Sequence, residues 1–228
     1  MVVATHQPLF LPWPGLFFKA MNADCLVLLD NVQFPRGRSW MSRNRLKSDQ
    51  GPTWLTVPVK RKGLGLQGIP DVEIFTGKGW RSKHLRTIGQ LYARSPYLDR
   101  YFSEIQAVYE TEPIYLIELN LALIRLLWSI LTPDRDLILQ SELGVEGRGP
   151  DLIVNICDRL GATDYLAFPM AVKYLDEAAL SKSGIRVKKT PFYAPVYPQL
   201  WGRFLPNLSA LDLVLNCGPA SSGLLAKT

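Results

Sequence analysis

Residues 2–5 and 25–29 are short apolar runs, and their placement constrains the fold more than any other feature of the chain. Apolar runs that do not alternate suit strands buried on both faces. Between them, Pro14 stands where a first helical residue would be, and Gly15 to Ala23 reads as a short helix. Strand, helix and strand within about 30 residues form a βαβ unit, so the two strands are expected to run parallel. His6 stands at the exit of the first strand and Asp30 at the exit of the second.

The alternation continues along the chain. Residues 54–59 and 71–75 alternate like strands, and Pro58 marks the first of these as an edge. From Trp80 to about Leu131 the pattern is helical, in three helices broken near Pro96 and Pro113. Residues 137–139, 165–168 and 185–189 are further strand candidates. Residues 150–160 and 207–216 read as helices, the second with Leu208, Leu211 and Leu215 on one stripe. The expected fold is α/β, with a mostly parallel central sheet that starts with the βαβ unit. A single domain over residues 1–228 is expected, with residues 80–132 as a helical middle subdomain.

Composition narrows the class. A chain of 228 residues, 47% hydrophobic and 20% charged, can bury a substantial core and is neither disordered nor low-complexity. The N-terminus lacks the basic flank of a secretory signal, and Pro8, Pro12 and Pro14 break its apolar residues. The most apolar helix, residues 119–131, is too short for a bilayer and carries Arg125. Cys25, Cys157 and Cys217 show no metal-ligand spacing, and neither a metal nor a membrane is expected. A cytoplasmic, reducing setting is the simplest reading of three cysteines without a disulfide pattern.

The net charge of +6 has one address: between Arg36 and Lys62 stand eight basic residues and a single acidic one, Asp49. Trp40 and Trp54 are interleaved with Arg38, Arg43 and Arg45. Guanidiniums beside indoles suit a small anionic or nucleotide-linked ligand with a planar or sugar ring. Nucleic acid is disfavoured, since no nucleic-acid-binding module is recognisable.

Ligands of open parallel sheets bind beyond the carboxyl ends of the strands. If the first two strands are neighbours, His6 and Asp30 face one cleft, with the imidazole as general base and the carboxylate orienting it. His84, beside Lys83 on a helix, is expected to be exposed. No nucleophilic serine motif and no Walker loop is present. Gly63 to Gly68 matches GxGxxG by letters but precedes an alternating segment rather than a helix.

Several blocks resemble the WbqC-like proteins. They run from His6-Gln7-Pro8, Leu11-Pro12-Trp13, Asp30 and Gln33-Phe34 through Ser39-Trp40, Arg43-Asn44-Arg45 and Trp54-Leu55 to Trp80 and Lys83-His84. Tyr174-Leu175-Asp176, Tyr197, Gln199, Asp212 and Asn216 complete them, nearly to the chain's end. Phe10 departs from the family's usual tyrosine. The resemblance implies a role in polysaccharide or natural-product biosynthesis, as a transferase placing an acyl or aminoacyl (for instance glycyl) group on an amino-sugar amine.

On that reading His6 and Asp30 are catalytic, and Arg38, Arg43 and Arg45 hold a diphosphate or phosphopantetheine, with Trp40 and Trp54 stacking on a ring. Gln7, Trp13, Gln33, Asn44, Lys83, His84, Tyr174, Gln199, Asp212 and Asn216 are the other substrate-contact candidates. For Asp212 and Asn216 the plainer alternative is a helix surface and a cap. No cofactor is evident; the acyl donor would be a thioester or a carrier protein. Two other readings remain open. One is an ATP- and Mg-dependent amide ligase or nucleotidyltransferase, suggested by a histidine after the first strand as in HUP-type domains. The other is a non-catalytic polyanion binder.

Overall fold

The βαβ unit forms: β1 (Val2–His6), α1 (Pro14–Met21) and β2 (Cys25–Leu28), with the two strands parallel. The computed structural model describes residues 1–77 and 79–228. After β2 comes an antiparallel hairpin, β3 (Arg43–Ser48) and β4 (Gly51–Thr56). Three helices follow, α2 (Trp80–Leu91), α3 (Leu98–Glu110) and α4 (Leu116–Leu131). Next are β5 (Asp136–Leu139), the short α5 (Gln140–Leu143), α6 (Pro150–Leu160) and β6 (Asp164–Ala167). Then come α7 (Glu177–Lys182), β7 (Arg186–Lys189), α8 (Ala210–Cys217) and α9 (Ala220–Ala226).

Five strands make one parallel sheet in the order β5-β2-β1-β6-β7. The chain builds outward from β1 to β5, then crosses back to add β6 and β7 on β1's other side. The reversal between β1 and β6 is a topological switch point, where the connections diverge and a crevice opens at the strands' carboxyl ends.

Both faces of the sheet are covered, as the apolar runs predict. Ala4, Leu26 and Leu28 share a core with Leu16 and Phe17 of α1, Leu123 and Leu127 of α4, and Leu211 of α8. Val3, Cys25 and Val27 face the other way and pack on Leu152 and Ile156 of α6. Neighbouring strand residues point to opposite faces, so one short apolar run serves two layers. The middle helices bury Trp80, Ile88, Tyr101 and Ile105 in the same core as Phe17.

Some local expectations are corrected. The strand expected at 54–59 lies at Gly51–Thr56, paired with Arg43–Ser48, whose charged sequence hides its β character. Residues 71–75 contribute only isolated bridges, Val59 with Ile74 and Glu73 with Tyr115. His84 is buried rather than exposed: Nδ1 meets the Tyr109 hydroxyl and Nε2 the Thr56 carbonyl. Burial is the main cause that lowers its pKa to about 4. It is a neutral core histidine joining α2, α3 and the hairpin.

Residues 8–11, which follow β1, are held by two buried amides. Asn120 of α4 donates to the carbonyls of Pro8 (2.8 Å) and Met41 (2.9 Å). Asn44 of β3 donates to Phe10 (3.3 Å) and Leu11 (2.6 Å). Leu11 adopts φ +41°, a left-handed conformation disfavoured for leucine, so this segment needs such anchoring. Replacing Asn120 by Ala strands two buried carbonyls. Urea unfolding should register a loss of about 2–4 kcal/mol, and a loss under about 0.5 kcal/mol would show that the clamp does not hold the turn.

Candidate functional site

The β1–β6 crevice is a cavity of about 1010 Å³. Thr5, His6 and Gln7 from the end of β1, Lys19 from α1 and Tyr165 from β6 line it. Asn31 and Gln33 from the segment after β2, Gln67 and the loop Gly147-Arg148-Gly149 before α6 complete its polar wall. None of its lining residues is a carboxylate, whereas Lys19 and Arg148 are cations.

His6 is fixed by its neighbour. Its Nδ1 lies 2.8 Å from the Gln7 carbonyl oxygen, which can only accept, so Nδ1 carries the proton and Nε2 keeps its lone pair. Burial, then the nearby Lys19 charge, lowers the His6 pKa to about 3, leaving the ring neutral at pH 7.

Lys19 is the second unusual group. Only 5% exposed, its ammonium donates to the Thr5 carbonyl at 3.1 Å and lies 4.6 Å from the centre of the Phe168 ring. Among the described residues no carboxylate pairs with it. Burial lowers its pKa to about 8, so it remains largely charged at pH 7. Beside it the Thr5 hydroxyl and the Tyr165 phenol share a 2.7 Å hydrogen bond.

The loop before α6 is shaped by glycine. Gly147 has φ +136°, and a Cβ there would come within 3.1 Å of the Leu152 backbone. Gly149, the residue before the helix, has no side chain to cap the first-turn amides. Asp151 in that turn is exposed and outside the cavity lining.

The residues singled out by sequence fall into separate groups. His6, Gln7, Gln33 and Tyr174 line the cavity. Asp30 does not orient His6: its carboxylate accepts from the Ser141 amide (3.0 Å) and hydroxyl (2.5 Å), capping α5 instead. The strands are neighbours, but Asp30 lies beyond the pairing of His6 with Leu28. Trp13 stands over Gly15, where a Cβ would meet its ring at 2.5 Å, and packs edge-on against Phe168 and Phe192.

Arg43, Arg45 and Trp54 of the hairpin and Trp40 just before it form a surface cluster outside the cavity lining. Arg43 lies 3.5 Å over Trp54, and the two exposed indoles are 5.3 Å apart. Arg38 is exposed, and Lys83 is exposed on α2; neither lines the cavity. Asn44 and His84 are the buried structural groups described above.

Asp212 lies wholly inside the protein rather than on a helix surface. It accepts from the hydroxyls of Tyr92 (2.6 Å) and Tyr197 (2.7 Å) and from Gln199 (2.9 Å), and burial raises its pKa. Asn216 donates to the Asp212 carbonyl within α8. This network ties α2, α8 and residues 197–205 together, and its residues are not in the lining of the switch-point cavity. Spacing alone does not single out Lys19, Asn31, Gln67, Arg148 or Tyr165. The available signals were a lysine inside the apolar run Phe17-Phe18-Lys19-Ala20 and the Gly-Arg-Gly-Pro entrance to α6.

Among the described residues no group of three or more His, Cys, Asp or Glu is placed to hold a metal, and no helix is long and apolar enough to cross a membrane. A family model described as the WbqC-like protein family matches residues 7–223. A Mycobacterium tuberculosis protein called "Uncharacterized protein Rv1507c" is 31% identical over 219 residues, covering 95% of this chain and 94% of that protein. No solved structure matches the chain.

Lys19→Met keeps the side-chain length and removes the buried charge. With a folded pKa near 8 and an ordinary value of 10.5, the unfolded chain binds the extra proton between those values. Wild-type stability therefore rises with pH through that window. The variant should be more stable at pH 7, by about 1–3 kcal/mol after losing the bond to Thr5. The gap should narrow towards pH 10.5; pH-resolved thermal unfolding with a constant gap would contradict the buried-cation assignment.

Proposed function

The chain belongs to the WbqC-like protein family, and we propose that it is a transferase that places an acyl or aminoacyl group on the amine of an amino sugar or related metabolite. One observation carries this reading. His6, on a cavity at the sheet's switch point, has its tautomer set by the Gln7 carbonyl, and its Nε2 meets no hydrogen-bond partner among the described residues.

In the proposed step the amine nitrogen attacks the carbonyl of a thioester or carrier-bound donor. The new C–N bond forms as the carbon–sulfur bond breaks. His6 Nε2 takes the amine proton and returns it to the departing thiolate, so the products are an amide and a thiol. A neutral imidazole with a pKa near 3 is a weak base. A bound anion beside Lys19 offsets that ammonium charge and raises the imidazole towards the working range.

A second reading is supported by the strand order β5-β2-β1-β6-β7, in which β1 and its neighbours form a nucleotide-binding type of switch point. On it the chain uses ATP and Mg²⁺ to activate a carboxylate before amide formation.

Mass-spectrometric assay of amide formation from amino-sugar nucleotides and acyl or aminoacyl thioesters separates these readings. His6→Gln should lower turnover by about 10²–10⁴-fold with unchanged unfolding temperature. Undiminished turnover in that variant removes His6 from the mechanism. Turnover that requires ATP–Mg²⁺ and releases pyrophosphate or phosphate replaces the first reading by the second.

A further inference from the structure

We propose that the switch-point cavity binds a diphosphate-bearing small molecule, with its anionic group held between the Lys19 ammonium and the Gly147-Arg148-Gly149 entrance to α6. This deepens the preceding reading by naming the class of ligand, and it rests on that reading only for the reaction that follows binding.

Three independent observations converge. Lys19 is a buried ammonium on the cavity wall, with the Thr5 carbonyl and the Phe168 ring as its contacts and no carboxylate partner among the described residues. A buried, unpaired charge is costly, and its persistence is accounted for by an anion that arrives from outside. The cavity lining contains Lys19 and Arg148 and no Asp or Glu. Gly149 gives α6 no side-chain cap and Pro150 has no N–H; Leu152, the third residue of that first turn, lines the cavity with Arg148, and amides at a helix start without a side-chain cap attract phosphate oxygens.

The neutral part of the ligand has its own partners. The Gln67 side-chain oxygen is buried on the cavity wall with no hydrogen-bond partner among the described residues. It needs a donor, such as a hydroxyl or an amine. Asn31 and Gln33 line the same side. A volume of about 1010 Å³ exceeds the needs of a lone phosphate and suits a nucleotide or a diphosphate-linked sugar. The Arg43, Arg45 and Trp54 cluster stands outside this lining, so the diphosphate site differs from the one that charge clustering in the sequence suggests.

Calorimetric titration of the full chain at pH 7 tests this with inorganic pyrophosphate, ADP, UDP and, as the uncharged control, uridine. Wild type should bind the phosphorylated probes, with uridine at least about tenfold weaker, the factor expected for losing a charge-assisted bond. Lys19→Met and Arg148→Ala should each weaken binding by about tenfold. Arg148→Ala lies on a loop, so it tests the site even if Lys19→Met misfolds.

Tighter binding of ADP or UDP than of pyrophosphate identifies a nucleotide as the source; equal binding identifies the diphosphate alone, and both uphold the proposal. No heat from any phosphorylated probe at millimolar concentration, or unchanged affinity in both folded variants, overturns it. Acyl transfer without anion binding would overturn this proposal while leaving the reaction. Anion binding without transfer from any thioester or ATP would do the reverse.

Discussion

The first strand is hydrogen-bonded on both sides, to β2 through residues 3–6 and to β6 through residues 2–4, and this pairing fixes the rest of the molecule. Parallel neighbours cannot be joined by a tight turn, so each pairing demands a crossover that packs a helix on the sheet. Because the crossovers to β2 and β6 belong to opposite halves of the sheet, they separate at the carboxyl end of β1. The crevice there follows from chain connectivity. The last residues of β1, Thr5 and His6, then form part of its wall.

Holding that wall in place requires polar contacts inside an apolar core. Residues 8–11 carry carbonyls with no strand partner, and the Asn44 and Asn120 amides supply the donors. Buried amides that satisfy otherwise orphaned carbonyls favour one conformation, because alternatives leave groups unpaired in a medium without water. Asp212 plays a comparable part further away, gathering Tyr92, Tyr197 and Gln199. These residues look like a catalytic inventory in one dimension and form a framework in three.

The electrostatics of the crevice are one-sided. Burial removes charge from His6 and weakens the hold of Lys19 on its proton, and the two shifts are linked, since the Lys19 charge helps to lower His6. An anion bound beside Lys19, as proposed above, would oppose both shifts. Asp30, with both oxygens engaged by Ser141, stabilises the segment after β5 instead of sharing in that exchange.

By itself the sequence determined the α/β class, the parallel start, the sheet strands at residues 136–139, 164–167 and 186–189 within a residue or two, and the place of His6 at a strand exit. Each is a short-range consequence of apolar runs, proline positions and helix starts, which act between residues close in the chain. Only the tertiary structure decided that Arg43–Ser48 is a strand, since its pattern is polar and its pairing comes from the hairpin partner. Burial of His84 and Asp212 was also beyond local reading, because their partners lie as far away as Tyr109 and Tyr92. The cavity combines Lys19, Gln67, Arg148 and Tyr165 with His6 across most of the chain. Local pattern places each side chain on an element, but only the order of strands in the sheet decides which elements meet.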